Sequence, residues 1–343
     1  MQISEHIDLA AHNTLALPAT ARYYTRAETL AEIHAAVDWA QRQGMPLLPL
    51  GGGSNVVLRD EFPGLVLPIA LRGKTLAQRG DYVEVCVAAG ENWHELVQWT
   101  LQQRAYGLEN LTLIPGTAGA APIQNIGAYG VELSQFLHAV RGIKIDENCA
   151  IELSAAQCEL GYRDSIFKRA LRDNFIVTEI VLHLRAQFVA AIDYPALREQ
   201  LPRDVPVDAV QIERAVRALR QSKLPDPAQW PNAGSFFKNP VVSAPQFAAL
   251  QNIHPDMPHF FLRGGAEAAP SGVKIPAAWL IDRCGWKGRR LGAVGVHSQQ
   301  ALVLIHYGGG DAAALLALAA QIQQEVAQRF GIALELEPGI YPR

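Results

Sequence analysis

The first candidate for a catalytic residue is Arg163. It lies in the polar run Gly161-Tyr-Arg-Asp-Ser165, which has apolar flanks. An arginine in such a setting can hold a substrate carboxylate through two parallel hydrogen bonds. The alternative is a surface turn in which Arg163 pairs with Asp164. The spacing leaves both interpretations open.

Ser235 is the second candidate. It follows a glycine and precedes two phenylalanines in the run 232–240, Asn-Ala-Gly-Ser-Phe-Phe-Lys-Asn-Pro. No Gly-x-Ser-x-Gly elbow or histidine base accompanies it, which argues against a hydrolase triad. A serine in a dry pocket can still deliver a proton to a strongly basic carbanion. An ordinary loop serine is the alternative interpretation.

Charged residues of the C-terminal third supply further candidates. Glu335 and Glu337 lie two residues apart in a short predicted strand, and we expect only one of the two carboxylates to be buried. We expect Glu337 to be the buried one. Lysines of this region can neutralise a substrate diphosphate, although most lysines are merely solvated; they are Lys223, Lys238, Lys274 and Lys287.

A glycine-rich loop follows the first predicted strands. It consists of Gly51, Gly52, Gly53, Ser54 and Asn55. No helix is predicted directly after it, so it is not a Rossmann fingerprint. Consecutive glycines can instead present several backbone N–H groups to an anion, such as a pyrophosphate. The alternative is a tight hairpin turn.

The segment Leu113–Gly130 is apolar and irregular. It contains four glycines and two prolines and no charged residue, so neither a regular helix nor a solvated linker is expected. Gln124 and Asn125 offer amide groups to the edge of a heteroaromatic ring. Together with the glycine loop, the segment predicts a flavin dinucleotide between two α/β subdomains; a buried structural loop is the alternative. No histidine or cysteine follows the glycine loop at the place where flavoproteins often carry a covalent link, so we expect non-covalent flavin.

The composition limits the partners. The chain has 343 residues, 49% hydrophobic and 18% charged, which predicts two or three packed domains. A net charge of -3 without a basic block argues against nucleic acid. Cysteines and histidines lack metal-ligand spacing, so no metal is expected. No apolar run is long enough for a membrane span and no signal peptide is visible, so we expect a cytoplasmic protein.

The predicted elements divide the chain into three regions. A helix is predicted from Thr25 to Gly44, with Thr25 and Glu28 as its capping box. A polar, proline-rich stretch at 194–208 predicts a hinge, and a long helix is predicted over 311–330. We therefore expect FAD-binding subdomains at 1–69 and 70–200 and a substrate domain at 201–343.

Several runs of the chain together resemble the UDP-N-acetylenolpyruvoylglucosamine reductase family, flavoenzymes of bacterial peptidoglycan synthesis. The strings Pro-Ile-Gln-Asn-Ile-Gly-Ala-Tyr-Gly and Gly-Ser-Phe-Phe-Lys-Asn-Pro are the most specific. The runs occur in the family's order and span nearly the whole chain: Gly51–Asn55, Ile114–Gly130, Gly161–Ser165, Lys223–Pro227, Asn232–Pro240 and His297–Leu302.

The resemblance implies an α+β protein: a two-subdomain FAD-binding fold of the vanillyl-alcohol oxidase (PCMH) type, followed by a smaller α+β substrate-binding domain. It also implies bound FAD, NADPH as donor, and UDP-N-acetylglucosamine enolpyruvate as the acceptor, which becomes UDP-N-acetylmuramate. We expect a monomer.

The resemblance further assigns roles to single residues. It implies catalytic roles for Arg163, Ser235 and Glu337. Substrate contacts are implied for Tyr194, which falls at the lid tyrosine of the family's longer form, and for Lys223, Asn239, Lys274 and Gln300. The predicted cofactor-binding residues are Gly51, Gly52, Gly53, Ser54, Asn55, Pro115, Gly116, Thr117, Gln124, Asn125, Gly127 and Ala128.

Two other functions share part of this pattern. A flavin oxidase of the same general fold, acting on a small alcohol with dioxygen, would have the glycine loop and little else. A flavin- or nucleotide-binding sensor without catalysis would not need the separate polar clusters at Arg163, Ser235 and Glu337. Both rank behind the reductase.

Overall fold

A computed structural model describes residues 1–202, 205–262 and 272–343. The described chain forms two compact units. The first unit consists of Met1–Asp8, Thr20–Ser54 and Glu61–Ser222, and the second unit of Leu9–Ala19, Asn55–Asp60 and Lys223–Arg343. The second unit therefore includes two short segments from the N-terminal part of the chain. Along the described residues, no helix combines the length and the apolar character that a membrane span requires.

The helices and strands of the described residues have the following bounds. The helices are α1 Leu30–Gln43, α2 Trp93–Gln102, α3 Pro195–Arg198, α4 Ala209–Lys223, α5 Ala244–Ile253, α6 Ala277–Arg283 and α7 Ala312–Phe330. The strands are β1 Ser4–Asp8, β2 Thr20–Tyr24, β3 Leu47–Leu50, β4 Val56–Leu58, β5 Glu61–Pro68, β6 Lys74–Arg79, β7 Tyr82–Ala88, β8 Gly127–Ala128, β9 Val131–Glu132, β10 Leu137–Lys144, β11 Cys149–Ser154, β12 Phe175–Arg185, β13 Asn232–Ser235, β14 Val241–Val242, β15 Phe260–Leu262, β16 Gly272–Lys274, β17 Arg290–Leu291, β18 Val294–Val296, β19 Val303–His306 and β20 Gly339–Tyr341.

The first unit begins with a sheet of strand order β1-β2-β5-β3. Strand β5 runs parallel to both β2 and β3, and helix α1 forms the crossover between β2 and β3. One stripe of α1 is buried and packs on the apolar side chains of β5, as the 3.6-residue periodicity requires. The glycine loop follows β3 at the end of this sheet.

The predicted N-cap of α1 is wrong by four residues, because the helix uses the second of two possible capping boxes. The helix is capped by Thr29, whose hydroxyl accepts from the Glu32 N–H, and the Glu32 carboxylate accepts from the Thr29 N–H in return. Thr25 is instead buried: its N–H bonds to the Val66 carbonyl and its hydroxyl donates to the Gln2 carbonyl. Sheet contacts thus hold Thr25 extended and delay the helix. The predicted end at Gly44 is confirmed, because Gly44 is a left-handed C-cap.

A second sheet of the first unit has the order β11-β10-β12-β7-β6 and is antiparallel throughout. Helix α2 packs its apolar side into the core beneath this sheet, with Trp93 and Leu96 fully buried. The indole N–H of Trp93 donates to the Leu111 carbonyl at 2.9 Å. That bond satisfies a buried donor and holds the chain just before the segment Leu113–Gly130.

The second unit is built around one apolar core. Its main sheet has the order β13-β19-β18-β17, and helix α7 buries a long stripe against that core. Asp311 caps α7 by accepting from the Ala314 N–H at 2.8 Å, and Gly331 ends the helix in the left-handed region. In the same unit, strand β4 runs parallel to β20 near the C-terminus.

Candidate functional site

The glycine loop and the start of the segment Leu113–Gly130 lie in direct contact within the first unit. The Ser54 hydroxyl donates to the Pro115 carbonyl at 3.3 Å. A Cβ added to Gly52 would lie 2.9 Å from the Gly116 Cα, and one added to Gly51 would lie 2.7 Å from the Thr117 hydroxyl oxygen. The two loops approach this closely because glycine has no side chain at the contact.

Glycine is also required in these loops for its backbone conformation. Gly53 has a φ of 62° and Gly116 a φ of 110°, values that a residue with a Cβ rarely adopts. Loops of bare, tightly packed backbone expose N–H groups where a side chain would otherwise cover them. This surface fits an anionic diphosphate, so the residues present fit the predicted flavin dinucleotide.

Asn125 serves the fold of its own segment. Its side chain is buried, with Nδ2 donating to the Glu132 carboxylate at 2.9 Å and to the Gly161 carbonyl at 3.1 Å. Its Oδ1 accepts from the Ser134 N–H at 2.9 Å. The expectation that this amide faces a ring edge therefore does not hold for the side chain. Asn125 instead fixes the short strand that begins at Gly127.

Arg163 lies in the tight turn that the sequence left open as an alternative. Gly161 and Asp164 form the bridge of that turn, and Arg163 itself has a φ of 53°, in the left-handed region. Its guanidinium nevertheless reaches across to the predicted cofactor segment and donates to the Gly127 carbonyl at 2.9 Å. Arg163 and the strand Gly127–Ala128 thus form one cluster.

Two tyrosines and helix α4 adjoin this cluster in the first unit. The rings of Tyr129 and Tyr194 meet edge to face, 5.2 Å between centroids, and both pack against an apolar cluster that the buried side of α4 forms with Leu197 and Leu201. The Asn110 amide donates to the Tyr129 carbonyl at 2.9 Å, which fixes the backbone at that position. Tyr194 therefore lies beside the predicted cofactor segment even though it follows that segment by more than sixty residues in the chain.

Helix α4 carries two residues that the sequence reasoning missed. Glu213 is buried and accepts from Gln98 at 2.7 Å and from the Thr112 hydroxyl at 2.8 Å. Arg220 lies two turns later on the same face, and its Nε is buried. The sequence contained a signal for both residues: Glu213 and Arg220 fall on the helix face that also carries Ile212, Val216 and Leu219.

In the second unit, Ser235 ends strand β13, opposite Val303. The turn before it is held by Asn232, whose Nδ2 donates to the Trp230 carbonyl at 2.7 Å and whose Oδ1 accepts from the Gly234 N–H at 2.8 Å. Gly234 has a φ of 68°. The run around Ser235 is therefore locked by internal hydrogen bonds rather than being an open loop.

Glu337 is buried in the second unit, 8% exposed, whereas the side chain of Glu335 is 73% exposed and pairs with Lys238. The prediction that Glu337 is the buried carboxylate is confirmed. Both residues belong to a segment that pairs antiparallel with the chain after Ser235: the Glu337 N–H donates to the Phe236 carbonyl at 3.0 Å, and the Lys238 N–H donates to the Glu335 carbonyl at 2.9 Å. Ser235 and Glu337 thus belong to neighbouring segments of one unit.

The remaining predicted residues are distributed as follows. Asn239 accepts from the Ala277 N–H at 2.8 Å through its Oδ1 and so holds the start of α6. Lys274 ends β16 opposite Val241, and its ammonium lies 5.9 Å from the Phe260 ring centroid. Gln300 and Lys223 complete this set: the Gln300 carbonyl accepts from the Val303 N–H, and Lys223 is exposed at the end of α4.

The remaining predicted cofactor-binding residues lie partly in the first unit and partly in the second. Gln124 ends the short helical turn Ala118–Gln124 in the first unit, and Ala128 pairs with Val131. Asn55 belongs to the second unit, where its carbonyl accepts from the Gly339 N–H at 3.0 Å. The contact places Asn55 beside the C-terminal segment that follows Glu337.

Comparison with known proteins gives two family models. The one described as an FAD binding domain matches residues 21–146. The one described as the C-terminal domain of UDP-N-acetylenolpyruvoylglucosamine reductase matches residues 226–341. The first match contains the glycine loop and the segment Leu113–Gly130, and the second contains Ser235 and Glu337.

Relatives and a solved structure match nearly the whole chain. A protein of Paraburkholderia phytofirmans named UDP-N-acetylenolpyruvoylglucosamine reductase is 48% identical over 96% of this chain and 95% of its own. One of Chromobacterium violaceum with the same name is 45% identical over 98% of both. The crystal structure of the reductase from Thermus caldophilus superimposes with a TM-score of 0.70 at 24% identity and covers 100% of both chains. The predicted α+β fold, an FAD-binding part followed by a substrate-binding domain, is confirmed by these matches.

Proposed function

Because the chain belongs to the UDP-N-acetylenolpyruvoylglucosamine reductase family, we propose that it reduces UDP-N-acetylglucosamine enolpyruvate to UDP-N-acetylmuramate with NADPH. The protein is an FAD-dependent oxidoreductase. The proposed reaction supplies a precursor of peptidoglycan. The predicted FAD and NADPH agree with this family membership.

The first unit would hold FAD without a covalent bond. The backbone of Gly51–Ser54 and of Pro115–Thr117 would receive the diphosphate, since glycine leaves these N–H groups uncovered. Strand β8, Gly127–Ala128, and Gln124 would lie against the ring system. When bound, FAD would supply hydride transfer from NADPH to the terminal vinyl carbon of the substrate.

The residues of the chain would manage charge and one proton. Arg163 and Glu337 would polarise the substrate carboxylate and stabilise the negative charge that develops next to it. The Ser235 hydroxyl would then donate its proton to the adjacent carbon. An alcohol is a weak acid in water, but a carbanion of this kind is a strong base, so the transfer runs downhill.

One observation carries the proposal most directly. The segment Phe236–Lys238 pairs with Glu335–Glu337, and this pairing buries a carboxylate beside the segment that begins at Ser235. A binding module that only stores a flavin needs neither a buried acid nor a locked serine at that place. A proton donor and an electrostatic stabiliser both need fixed positions.

The test separates the two half-reactions. Ser235→Ala should be reduced by NADPH at the rate of the unaltered protein, yet should lose turnover with the enolpyruvyl substrate by about 10²–10⁴-fold, the usual contribution of a general acid. Ser243→Ala is the matched control, because Ser243 caps α5 in the same unit and its loss only weakens a helix end. Equal loss of both half-reactions in Ser235→Ala would contradict the assigned role.

Arg163 is tested by a substitution that keeps its charge. Arg163→Lys retains one positive charge but loses the planar fork that binds a carboxylate with two hydrogen bonds. Flavin reduction by NADPH should persist while reoxidation by the enolpyruvyl nucleotide slows severely. Near-normal reoxidation would remove Arg163 from the site.

Further parts of the sequence-based assignment stand as proposals. Tyr194, Lys223, Asn239, Lys274 and Gln300 would contact the nucleotide substrate. The chain would divide into domains at 1–69, 70–200 and 201–343 and would act as a cytoplasmic monomer. Size-exclusion chromatography with light scattering would test the last point, and a dimer mass would refute it.

A further inference from the structure

The start of helix α2 holds both ends of a turn in the predicted cofactor segment. At one end, the Leu113 N–H donates to Nδ1 of His94 at 3.3 Å. At the other end, the Trp93 N–H donates to the Gly116 carbonyl at 3.1 Å. The turn contains Pro115–Thr117, which the proposed function assigns to the FAD diphosphate. The position of these residues therefore depends on two adjacent residues of α2.

The contact at Leu113 supports an unfavourable backbone conformation. Leu113 has a φ of 54°, in the left-handed region, which is costly for a residue with a Cβ. Contacts from outside the turn must offset that cost. The far end of the turn leaves little room for movement, because a Cβ added to Gly52 would lie 2.9 Å from the Gly116 Cα. A shift at Leu113 would thus disturb the surface that the two loops form together.

The protonation state of His94 decides whether it can hold the turn. The Thr112 hydroxyl lies 3.1 Å from the same Nδ1, and it donates its single proton to the Glu213 carboxylate at 2.8 Å. With its proton on Nε2, neutral His94 accepts from the Leu113 N–H. A protonated Nδ1 is a donor instead, so it turns to the Thr112 oxygen and the Leu113 N–H loses its acceptor.

The surroundings favour the neutral form of His94. Burial lowers the pKa of this histidine. On α4, the carboxylate of Glu213 raises this pKa, whereas the guanidinium of Arg217 lowers it. Glu95 of α2 raises it and Arg220 of α4 lowers it, and the pKa remains below the ordinary value of 6.5. At neutral pH the Nδ1 atom is therefore available as an acceptor.

We propose that His94 is a positioning residue for FAD: its neutral Nδ1 holds the Leu113 N–H and thereby keeps Pro115–Thr117 where they receive the diphosphate. The proposal rests on the proposed function, which assigns those residues to FAD. His94 makes no bond to the cofactor itself. It acts through the backbone of the turn that α2 holds in place.

The first experiment measures FAD affinity at pH 8 by titrating FAD-free protein and following the quenching of flavin fluorescence. His94→Leu removes the acceptor and should bind FAD about 3- to 10-fold more weakly, the factor that one hydrogen bond contributes. His94→Asn places an amide oxygen near the position of Nδ1 and should recover most of the affinity. His138→Asn is the matched control, because His138 is an exposed histidine of β10 in the same unit and its replacement should leave the affinity unchanged.

The second experiment uses a readout that a merely structural residue would not move. Between pH 8 and pH 5, the FAD affinity of the unaltered protein should fall towards that of His94→Leu, because a protonated Nδ1 cannot accept. The affinity of His94→Asn should not show this decline, since an amide oxygen takes up no proton in this range. By reciprocity, FAD should weaken proton binding to His94 about 3- to 10-fold, which a histidine NMR titration with and without FAD measures.

Three results would overturn the proposal. They are an affinity of His94→Leu within twofold of the unaltered protein at pH 8, a His94→Asn protein that binds FAD as weakly as His94→Leu, and a His94 titration that FAD does not change. The last is measured on the unaltered protein, so it decides even if a variant fails to fold. The proposed function can fail separately: FAD that binds with this pH profile and is reduced by NADPH, but that the nucleotide cannot reoxidise, would refute the reductase reaction and leave the role of His94 intact.

Discussion

Replacing Gly52 with alanine should push apart the two loops assigned to FAD. The new Cβ would lie 2.9 Å from the Gly116 Cα and 3.5 Å from the Gly116 carbonyl carbon, both backbone atoms that cannot rotate away. Carbon atoms pack best at about 3.5–4.0 Å, so the loops must separate by about 0.6 Å or more. The same movement shifts the N–H groups that would bind the diphosphate.

The size of the effect follows from the cost of overpacking. Inserting a methyl group into a tight contact costs about 1–3 kcal/mol. In the FAD-free protein the loops can relax, but FAD binding requires them in contact, so the strain appears in the affinity. At about 1.4 kcal/mol for each factor of ten, FAD should bind about 5- to 150-fold more weakly.

The assay is a titration of apoprotein with FAD, followed by the quenching of flavin fluorescence. Gly44→Ala is the control, because it also strains a glycine, with φ at 62°, but its Cβ would meet no atom within 4 Å. That variant should lose about 1 kcal/mol of unfolding free energy and bind FAD normally. If Gly52→Ala bound FAD within twofold of the unaltered protein, the assignment of these loops to the cofactor would be wrong.

Two further predictions concern the polar contacts that hold α2 and α4 to the chain at Thr112 and Leu113. Burial lowers the pKa of His94, whose Nδ1 accepts from the Leu113 N–H. The unfolded chain therefore binds more protons at this residue than the folded protein does. The stabilisation is complete above the unfolded pKa of about 6.5 and is lost as the pH falls through the lower pKa of the folded protein. Urea unfolding at a series of pH values should show this loss, and His94→Gln should reduce the slope; an identical slope in both proteins would contradict the prediction. Glu213→Ala should lower the unfolding free energy by about 1–3 kcal/mol because it leaves the donors of Gln98 and Thr112 without their acceptor. Arg217→Ala should also lower the unfolding free energy, because it removes the cation beside the Glu213 carboxylate, whose side chain is only 2% exposed; a variant as stable as the unaltered protein would contradict this account.

Local patterns predicted the existence of the elements better than their boundaries. Helix α1 has two identical starting signals, Thr25-x-x-Glu28 and Thr29-x-x-Glu32, and the sequence contains nothing that ranks them. The sheet ranks them, because Thr25 is bonded to Val66 and Gln2 from distant parts of the first unit. Tertiary hydrogen bonds of this kind have no local signature.

The burial of Glu337 was predicted correctly, but its cause was not. The segment is not a regular strand of a sheet; it pairs with the residues that follow Ser235 through an isolated bridge between Phe237 and Leu336. Residues two apart in an extended segment lie on the same face, so alternation does not distinguish Glu335 from Glu337; what each side chain packs against decides its burial. The partner segment lies almost one hundred residues earlier, beyond the reach of periodicity.

The side chains around the predicted cofactor segment were the least predictable part. Asn125 looked available for a ring edge, yet Glu132, Ser134 and Gly161 occupy its amide. Arg220 was not among the predicted site residues, yet its Nε is buried. In both cases the deciding neighbours come from other elements, and a single sequence does not state which elements meet.

The central claim, that this chain passes electrons from NADPH through FAD to an enolpyruvyl nucleotide, is tested most directly by one anaerobic absorbance experiment. The yellow FAD-loaded protein should bleach when NADPH is added in stoichiometric amount. Its colour should return when UDP-N-acetylglucosamine enolpyruvate is added, with UDP-N-acetylmuramate as the product. Flavin that stays bleached after the nucleotide and recovers only on admission of air would contradict the claim.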